Sequence, residues 1–190
     1  MDESVVRLAS SNEHKLRELR HALPGWRIEL LGAEEYPPEE GATYYENARA
    51  KALYGRALAP EGWVLGEDSG LEIEGLGGGP GVQSSRWAGG REAERVLEEL
   101  RGVGGTGRRA RYVCELVAVT REGVEHRGTG TLEGRIAEEA SGAGGFGFDP
   151  VFVPEGEERT VAELGDEWKR EHSHRARAAR ALARTIHGQP

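Results

Sequence analysis

Apolar positions along this chain recur at two spacings, and each spacing marks a different element. The opening VVRLA, residues 5 to 9, is a short β-branched run; after SSN, Leu16, Leu19, Ala22 and Leu23 line one face of a helix that stops at Pro24-Gly25. Thr43 followed by Glu46 has capping-box spacing, and Ala48, Ala52 and Leu53 carry a helix toward residue 59. WVLGED, residues 63 to 68, reads as a second strand that ends at the acidic pair Glu67-Asp68. REAERVLEELRG places Val96, Leu97 and Leu100 against charge and predicts an amphipathic helix ended by Gly102.

Downstream, RRARYVCELVAVT, REG and VEHRGTGTLEGRIA read as two strands around a short turn. GAGGFGFDPVFV is a glycine loop running into a strand, and Thr160 with Glu163 has the spacing to cap a short helical turn. Ser173 precedes the Ala-rich run HRARAARALARTIH, in which Ala176, Ala179, Leu182, Ala183 and Ile186 keep one face apolar. Strands and helices alternate early, a hairpin sits in the middle and a helix closes the chain, which predicts an α/β fold with a mixed central sheet flanked by helices. With no internal repeat and no linker, residues 1–190 read as a single domain.

Composition narrows the picture. Basic residues number 25 against 33 acidic ones, a net charge of −8, so nothing global favours a nucleic acid polymer and a polyanionic ligand must meet a local basic pocket. No run approaches the ~18 apolar residues that cross a bilayer, and MDESVVRLASS lacks the basic flank and apolar stretch of a signal peptide, so the expectation is a cytoplasmic protein with no membrane partner. The single Cys114, inside an apolar stretch, reads as a small buried strand residue.

Candidate chemistry concentrates in a few places. In SSNEHK a strand hands over to a helix through Ser10, Ser11 and Asn12, with Lys15 one turn in. Either one of these residues caps the helix and Lys15 is solvated, or the helix start and Lys15 bind an anion. Glu39, Glu40, Glu67 and Asp68 offer hard oxygen ligands of the kind Mg²⁺ takes in ones and twos, with a turn or cap as the competing role for Asp68 and a solvated loop for Glu39 and Glu40. Phe146 and Phe148 beside Asp149 set stackable rings next to a polar group, or else are core. In WKREHSHR, the cations Lys169, His172, His174 and Arg175 crowd the start of the last helix, where the macrodipole disfavours them unless an anion compensates.

Taken in order, these segments resemble the Ham1-like family of inosine/xanthosine triphosphate pyrophosphatases. The family's T-G-N-x-x-K is similar to Ser10-Ser11-Asn12 through Lys15, its E-N-A-x-x-K-A to ENARAKA from Glu46, and its D-D-S-G-L to EDSGL from Glu67. LGGGPGVQSSRWAG resembles L-G-G-x-P-G-V-Y-S-A-R-Y-A-G, GGFGFDPVF resembles G-G-F-G-Y-D-P-I-F, and the SHR end closes the series. This chain departs from those patterns at Ser11 (Gly in the family), Glu67 (Asp), Gln83 (Tyr) and Phe148 (an aromatic with a polar donor).

The resemblance implies two lobes around an elongated nucleotide-binding cleft, a homodimer, and hydrolysis of non-standard purine nucleoside triphosphates (ITP, dITP, XTP) to monophosphate and pyrophosphate. It implies that Ser10, Ser11, Asn12 and Lys15 hold the triphosphate, that Asp68 is the catalytic carboxylate, and that Asp68 and Glu39 bind Mg²⁺, with Glu67 a further metal candidate. Ser69 and Arg86 follow as substrate contacts, and Phe146, Gly147, Phe148, Asp149, Lys169, His174 and Arg175 as the nucleoside pocket. Two alternatives stand beside it: a Maf-like nucleotide pyrophosphatase preferring modified pyrimidines, and a catalytically silent nucleotide-binding protein, which has no need of the carboxylates.

Overall fold

Val6–Leu8 (β1) and Trp63–Ile73 (β3) run parallel, with Leu8 opposite Leu65, and Ile28–Leu30 (β2) lies parallel on the other side of β1. These strands belong to a computed structural model that describes residues 5–188. Arg109–Val119 (β4), Glu125–Ile136 (β5) and Phe152–Pro154 (β6) complete a mixed sheet, six-stranded among the described residues, in the order β2-β1-β3-β4-β5-β6. β6 pairs antiparallel with β5, while β4 and β5 are neighbours joined through a turn in which the Thr120 amide donates to the Val124 carbonyl. So short a link joins only antiparallel strands, which makes the pair the hairpin that the sequence predicts.

The helices are Glu13–Ala22 (α1), Tyr44–Leu58 (α2), the short Ser84–Trp87 (α3), Glu92–Glu99 (α4), Val161–His172 (α5) and His174–His187 (α6). Both capping boxes form: the Thr43 hydroxyl accepts from the Glu46 amide and the Thr160 hydroxyl from the Glu163 amide, and each glutamate returns a bond to the cap residue's N–H. β2, a strand of only three residues, is not among the predicted elements because it is too short for its period to show. Two expectations need correction. β3 does not end at the acidic pair but runs on to Ile73. The Thr160 cap opens a twelve-residue helix rather than a short turn, interrupted at Gly165, whose φ of 81° lies outside the helical region.

The chain divides into two compact units. The first runs up to Asp68 and takes in Cys114–Gly130 and the residues from His174 onward; the second is Ser69–Val113 with Thr131–Ser173. In the first unit, α1 and α6 cover one sheet face: Leu16, Leu19, Ala178, Ala179 and Leu182 pack on Val6, Leu8, Leu65, Cys114, Leu116 and Ala118. The alternate β4 residues Val117 and Val119 point the other way, onto Ala48 and Ala52 of α2. α2 lies very close because β3 carries Gly66 there: a Cβ on Gly66 would sit 2.7 Å from the Ala52 amide nitrogen and nearer still to the Ala48 carbonyl oxygen. In the second unit, Leu71, Ile73, Val96, Leu100, Tyr112, Leu132, Ile136, Phe148, Phe152 and Val161 share one core.

Candidate active site

Asn12 caps α1, its Oδ1 accepting from the amides of His14 and Lys15 at 2.9 and 3.1 Å, while Ser10 Oγ accepts from the Asn12 amide. The cap therefore occupies part of the helix start, and a phosphate role for this loop rests chiefly on Lys15. None of the described non-glycine residues has a positive φ, so Ser11 sits without strain where the family pattern has Gly.

Asp68 lies in the middle of β3 and is almost fully buried, facing α2. Its Oδ1 accepts from Lys51 Nζ at 3.0 Å and its Oδ2 from Asn47 Nδ2 at 3.1 Å. The Lys51 ammonium also donates to the Glu67 carbonyl at 3.0 Å and pairs with Glu39 Oε1, so two carboxylates from different elements converge on one cation. Asn47 is itself held, its Oδ1 accepting from the Gly41 amide at 2.8 Å. Burial raises the Asp68 carboxyl above its ordinary value; Lys51 opposes that rise, and the neighbouring charges of Glu67 and Glu39 add to it. Burial likewise works against the charge of Lys51, but Asp68, Glu39 and Glu67 outweigh it and keep the ammonium protonated more firmly than usual. A desolvated carboxylate with a raised pKa, aimed by two side chains, is suited to accepting a proton.

Glu67, the next residue back, points to the other face. Its side chain has no exposed surface; Oε2 lies 2.6 Å from Lys15 Nζ, and Oε1 accepts from Arg175 Nε and Nη2 at 3.2 and 3.0 Å. The Cys114 thiol lies 3.6 Å from the same Oε1, and Arg175 Nη1 pairs with Glu18 of α1. Burial pushes the Glu67 carboxyl up, but Lys15, Arg175 and Lys51 together hold it well below the usual carboxylate range. Burial and the Glu67 charge push the Cys114 thiol well above its ordinary value, in keeping with an inert core residue.

The second unit holds a separate cluster around Asp149. Oδ1 accepts from the Tyr112 hydroxyl at 3.2 Å; Oδ2 accepts from the Phe146 amide and from Lys169 Nζ, both at 2.8 Å. The Lys169 ammonium stands 4.7 Å from the centre of the Phe146 ring, a cation–π contact. Gly145, at φ 72°, makes this turn possible, because a Cβ there would lie 2.8 Å from the Asp149 carboxyl carbon. Phe148 is a core residue packed toward Trp87, whereas Phe146 and Gly147 are half-buried. Of the remaining predicted residues, Ser69 is half-buried, Arg86 on α3 is exposed, and His174 is buried at the start of α6 beside Arg175.

Sequence reasoning brought Lys15, Glu39 and Asp68 forward but passed over Asn47 and Lys51. A signal was present: four residues apart, they are polar positions on the stripe that Ala48, Ala52 and Gly55 otherwise keep small and buried.

The sheet order and the charged middle of β3 define an α/β protein of the mixed-sheet kind with a buried carboxylate–ammonium centre on a central strand. This chain belongs to the Ham1 family, whose pattern matches residues 6–185. It is 46% identical to a dITP/XTP pyrophosphatase of Thermus thermophilus over 187 residues, covering 93% of this chain and 89% of that one. A dITP/XTP pyrophosphatase of Deinococcus deserti is 44% identical over 184 residues, covering 93% and 86%. Among solved structures, the Ham1 protein of Staphylococcus aureus superposes with a TM-score of 0.83 at 30% identity, covering 97% of this chain and 98% of that one. A nucleoside-triphosphatase / dITP/XTP pyrophosphatase from Mycobacterium abscessus gives 0.74 at 38% identity, covering 94% and 98%.

Proposed function

We propose that this chain hydrolyses non-standard purine nucleoside triphosphates, ITP, dITP and XTP, to the monophosphate and pyrophosphate, and so cleanses the nucleotide pool. The observation that carries the reading is Asp68, buried and fixed by Asn47 and Lys51, with Glu39 on the same ammonium. Similarity to proteins named dITP/XTP pyrophosphatase supports the substrate class.

In this reading water attacks the α-phosphate and pyrophosphate leaves. Asp68 orients the water and takes its proton, while Lys15 and Lys51 offset phosphate charge and Ser10, Ser11 and Asn12 line the same contact. Ser69 and Arg86 contribute further substrate contacts. Glu39 and Asp68 fit Mg²⁺: both are hard oxygen donors, they already converge on a cation, and this ion takes only one or two carboxylates, leaving its other positions to water and phosphate. When bound there, the ion supplies charge neutralisation on the phosphate oxygens.

For the base, we assign Phe146 to stacking, with Gly147, Phe148, Asp149 and Lys169 shaping and fixing that turn. Hypoxanthine and xanthine present an O6 acceptor where adenine presents an N6 donor, so a fixed donor favours the former. His174 is the donor we assign, because Arg175 is already held by Glu67 and Glu18. Facing that donor with the adenine amino group leaves a buried mismatch, worth on the order of 10²-fold or more in selectivity. We also propose that the protein acts as a homodimer in the cytoplasm, on free nucleotides rather than a nucleic acid polymer. Its net charge of −8 agrees with the last point, and among the described residues no helix is long and apolar enough to cross a membrane.

Pyrophosphate release from ITP, dITP and XTP, against ATP and modified UTP and CTP, with and without Mg²⁺, is the test. The expected result is Mg²⁺-dependent release confined to the purine analogues. Equal kcat/KM for ATP and ITP would overturn the assignment, and a preference for the modified pyrimidines would move it to a Maf-like activity.

A further inference from the structure

Side chains alternate along β3, and the contacts record the alternation: Val64, Gly66 and Asp68 face α2, whereas Leu65 and Glu67 face α1 and α6. Glu67 therefore leaves the strand on the side of the sheet opposite to Asp68. There its carboxylate bridges two cations from different helices, Lys15 of α1 at 2.6 Å and Arg175 of α6 at 3.0 Å. Arg175 is immobilised on its far side by Glu18. Lys15 is placed differently: its side chain is 15% exposed, against 2% for Arg175 and none for Glu67, so the lysine is the member of the bridge that meets solvent.

From this arrangement we propose that Glu67 is a positioning residue, a fixed counter-ion that holds the Lys15 ammonium ready at the start of α1 for a phosphate oxygen. The inference rests on the reading above in which Lys15 meets the phosphates. Lysine carries its charge on a flexible four-carbon stem, and an ammonium that must be ordered on binding costs affinity. The buried carboxylate removes that cost beforehand. Without it, the trapped Arg175 guanidinium has Lys15 as a like-charged neighbour, and the lysine swings into solvent. This role differs from that of a metal ligand, which works by holding the ion and leaves Lys15 unaffected.

Inorganic tripolyphosphate, titrated calorimetrically into the full-length protein without divalent metal, tests the idea independently of catalysis. Glu67→Gln is expected to weaken binding about tenfold, the order of one side chain that must now be ordered on binding. In a Lys15→Met background the same substitution is expected to cost nothing further, because the residue through which it acts is gone. Unchanged or tighter binding by Glu67→Gln, or a loss that adds in full to that of Lys15→Met, overturns the proposal. Circular dichroism checks folding; should Glu67→Gln not fold, Glu67→Asp, which keeps the charge beside Arg175 but shortens the reach by one methylene, carries the same comparison. In the enzyme assay, Glu67→Gln is expected to raise KM and leave the half-saturating Mg²⁺ concentration unchanged; a raised Mg²⁺ requirement would make Glu67 a metal ligand and overturn the proposal. Tripolyphosphate binding without hydrolysis of any nucleotide would strike the proposed reaction alone, whereas no binding by the wild type would remove the phosphate role of Lys15 and this inference with it.

Discussion

Glu67 and Asp68 are consecutive, yet their carboxylates belong to different charge clusters: Glu67 lies 2.6 Å from Lys15 and Asp68 3.0 Å from Lys51. The separation follows from β3 running through both residues, since consecutive side chains of a strand point to opposite faces. Two acids that look like one bidentate motif in the sequence thus have different partners. Lys51 touches both residues, donating to the main-chain carbonyl of Glu67 and to the carboxylate of Asp68, and the Glu67 charge is still felt by the Asp68 carboxyl.

Asp68→Asn keeps the size of the side chain but removes the base and one of its two acceptor oxygens, so only one of the contacts to Lys51 and Asn47 can be kept. The expected outcome is a fall in kcat of about 10²-fold or more, the usual share of a positioned general base, with nucleotide affinity changed only a few-fold. Steady-state pyrophosphate release together with equilibrium binding of dITP checks it; near wild-type turnover would remove Asp68 from the chemistry.

Lys51→Met takes away the cation on which Asp68 and Glu39 converge. Leaving a buried carboxylate without its partner costs about 3 kcal/mol or more, so urea unfolding in the presence of EDTA is expected to show a loss of that order. Millimolar Mg²⁺ is expected to restore part of it, because a second cation then serves the same two carboxylates. A variant as stable as wild type, or indifferent to Mg²⁺, would count against the shared carboxylate site.

Much of the scaffold was legible because it is local. The Thr43 and Thr160 capping boxes, the end of α1 before Pro24 and the turn between β4 and β5 all depend on residues a few positions apart. The site was legible only in part. Lys15, Glu39 and Asp68 stand in recognisable segments, but the partners that define their chemistry are remote: Arg175 reaches Glu67 across 108 positions, and Lys51 reaches Asp68 across 17. Taking β3 to stop at Asp68 hid the divergence of the acidic pair, since facing is assigned only once a strand is known to run through. Lys51 escaped notice because a lysine in an Ala-rich helix reads as solvated unless the burial of that helix face is known.

Gly66 and Gly55 set the distance between α2 and β3, and with it the reach of Lys51 and Asn47 to Asp68. A Cβ on Gly66 meets the main chain of Ala48 and Ala52, which no side-chain truncation relieves; a Cβ on Gly55 meets Val64 Cγ1 at 2.7 Å, which Val64→Ala removes. Gly66→Ala is therefore expected to cost about 1–3 kcal/mol from overpacking and to lower kcat as α2 is displaced. Gly55→Ala is expected to be rescued by Val64→Ala, the double variant being at least ~1 kcal/mol more stable than additivity predicts. Thermal unfolding and kcat for the five proteins, wild type included, decide it; additivity at Gly55 and Val64 would contradict the close approach.

Acid stability reports on Glu67. Its carboxyl is held below its ordinary value of 4.5, burial being outweighed by Lys15, Arg175 and Lys51. As pH falls below 4.5 the unfolded chain takes up a proton that the folded chain refuses. The stabilisation is thus complete above that pH and drains away on the acid side, until the folded carboxyl itself protonates. One such group contributes a slope of at most about 1.4 kcal/mol per pH unit across this window. Glu67→Gln lacks it, so its unfolding free energy is expected to fall less steeply between about pH 4.5 and 3 than that of the wild type, whatever its absolute stability. Asp68 is shifted the opposite way, in part by the Glu67 charge itself, so the two proteins are compared in an Asp68→Asn background, which removes that contribution from both. Parallel acid limbs in urea titrations at successive pH values would mean that the Glu67 carboxylate is not held by Lys15 and Arg175 in solution.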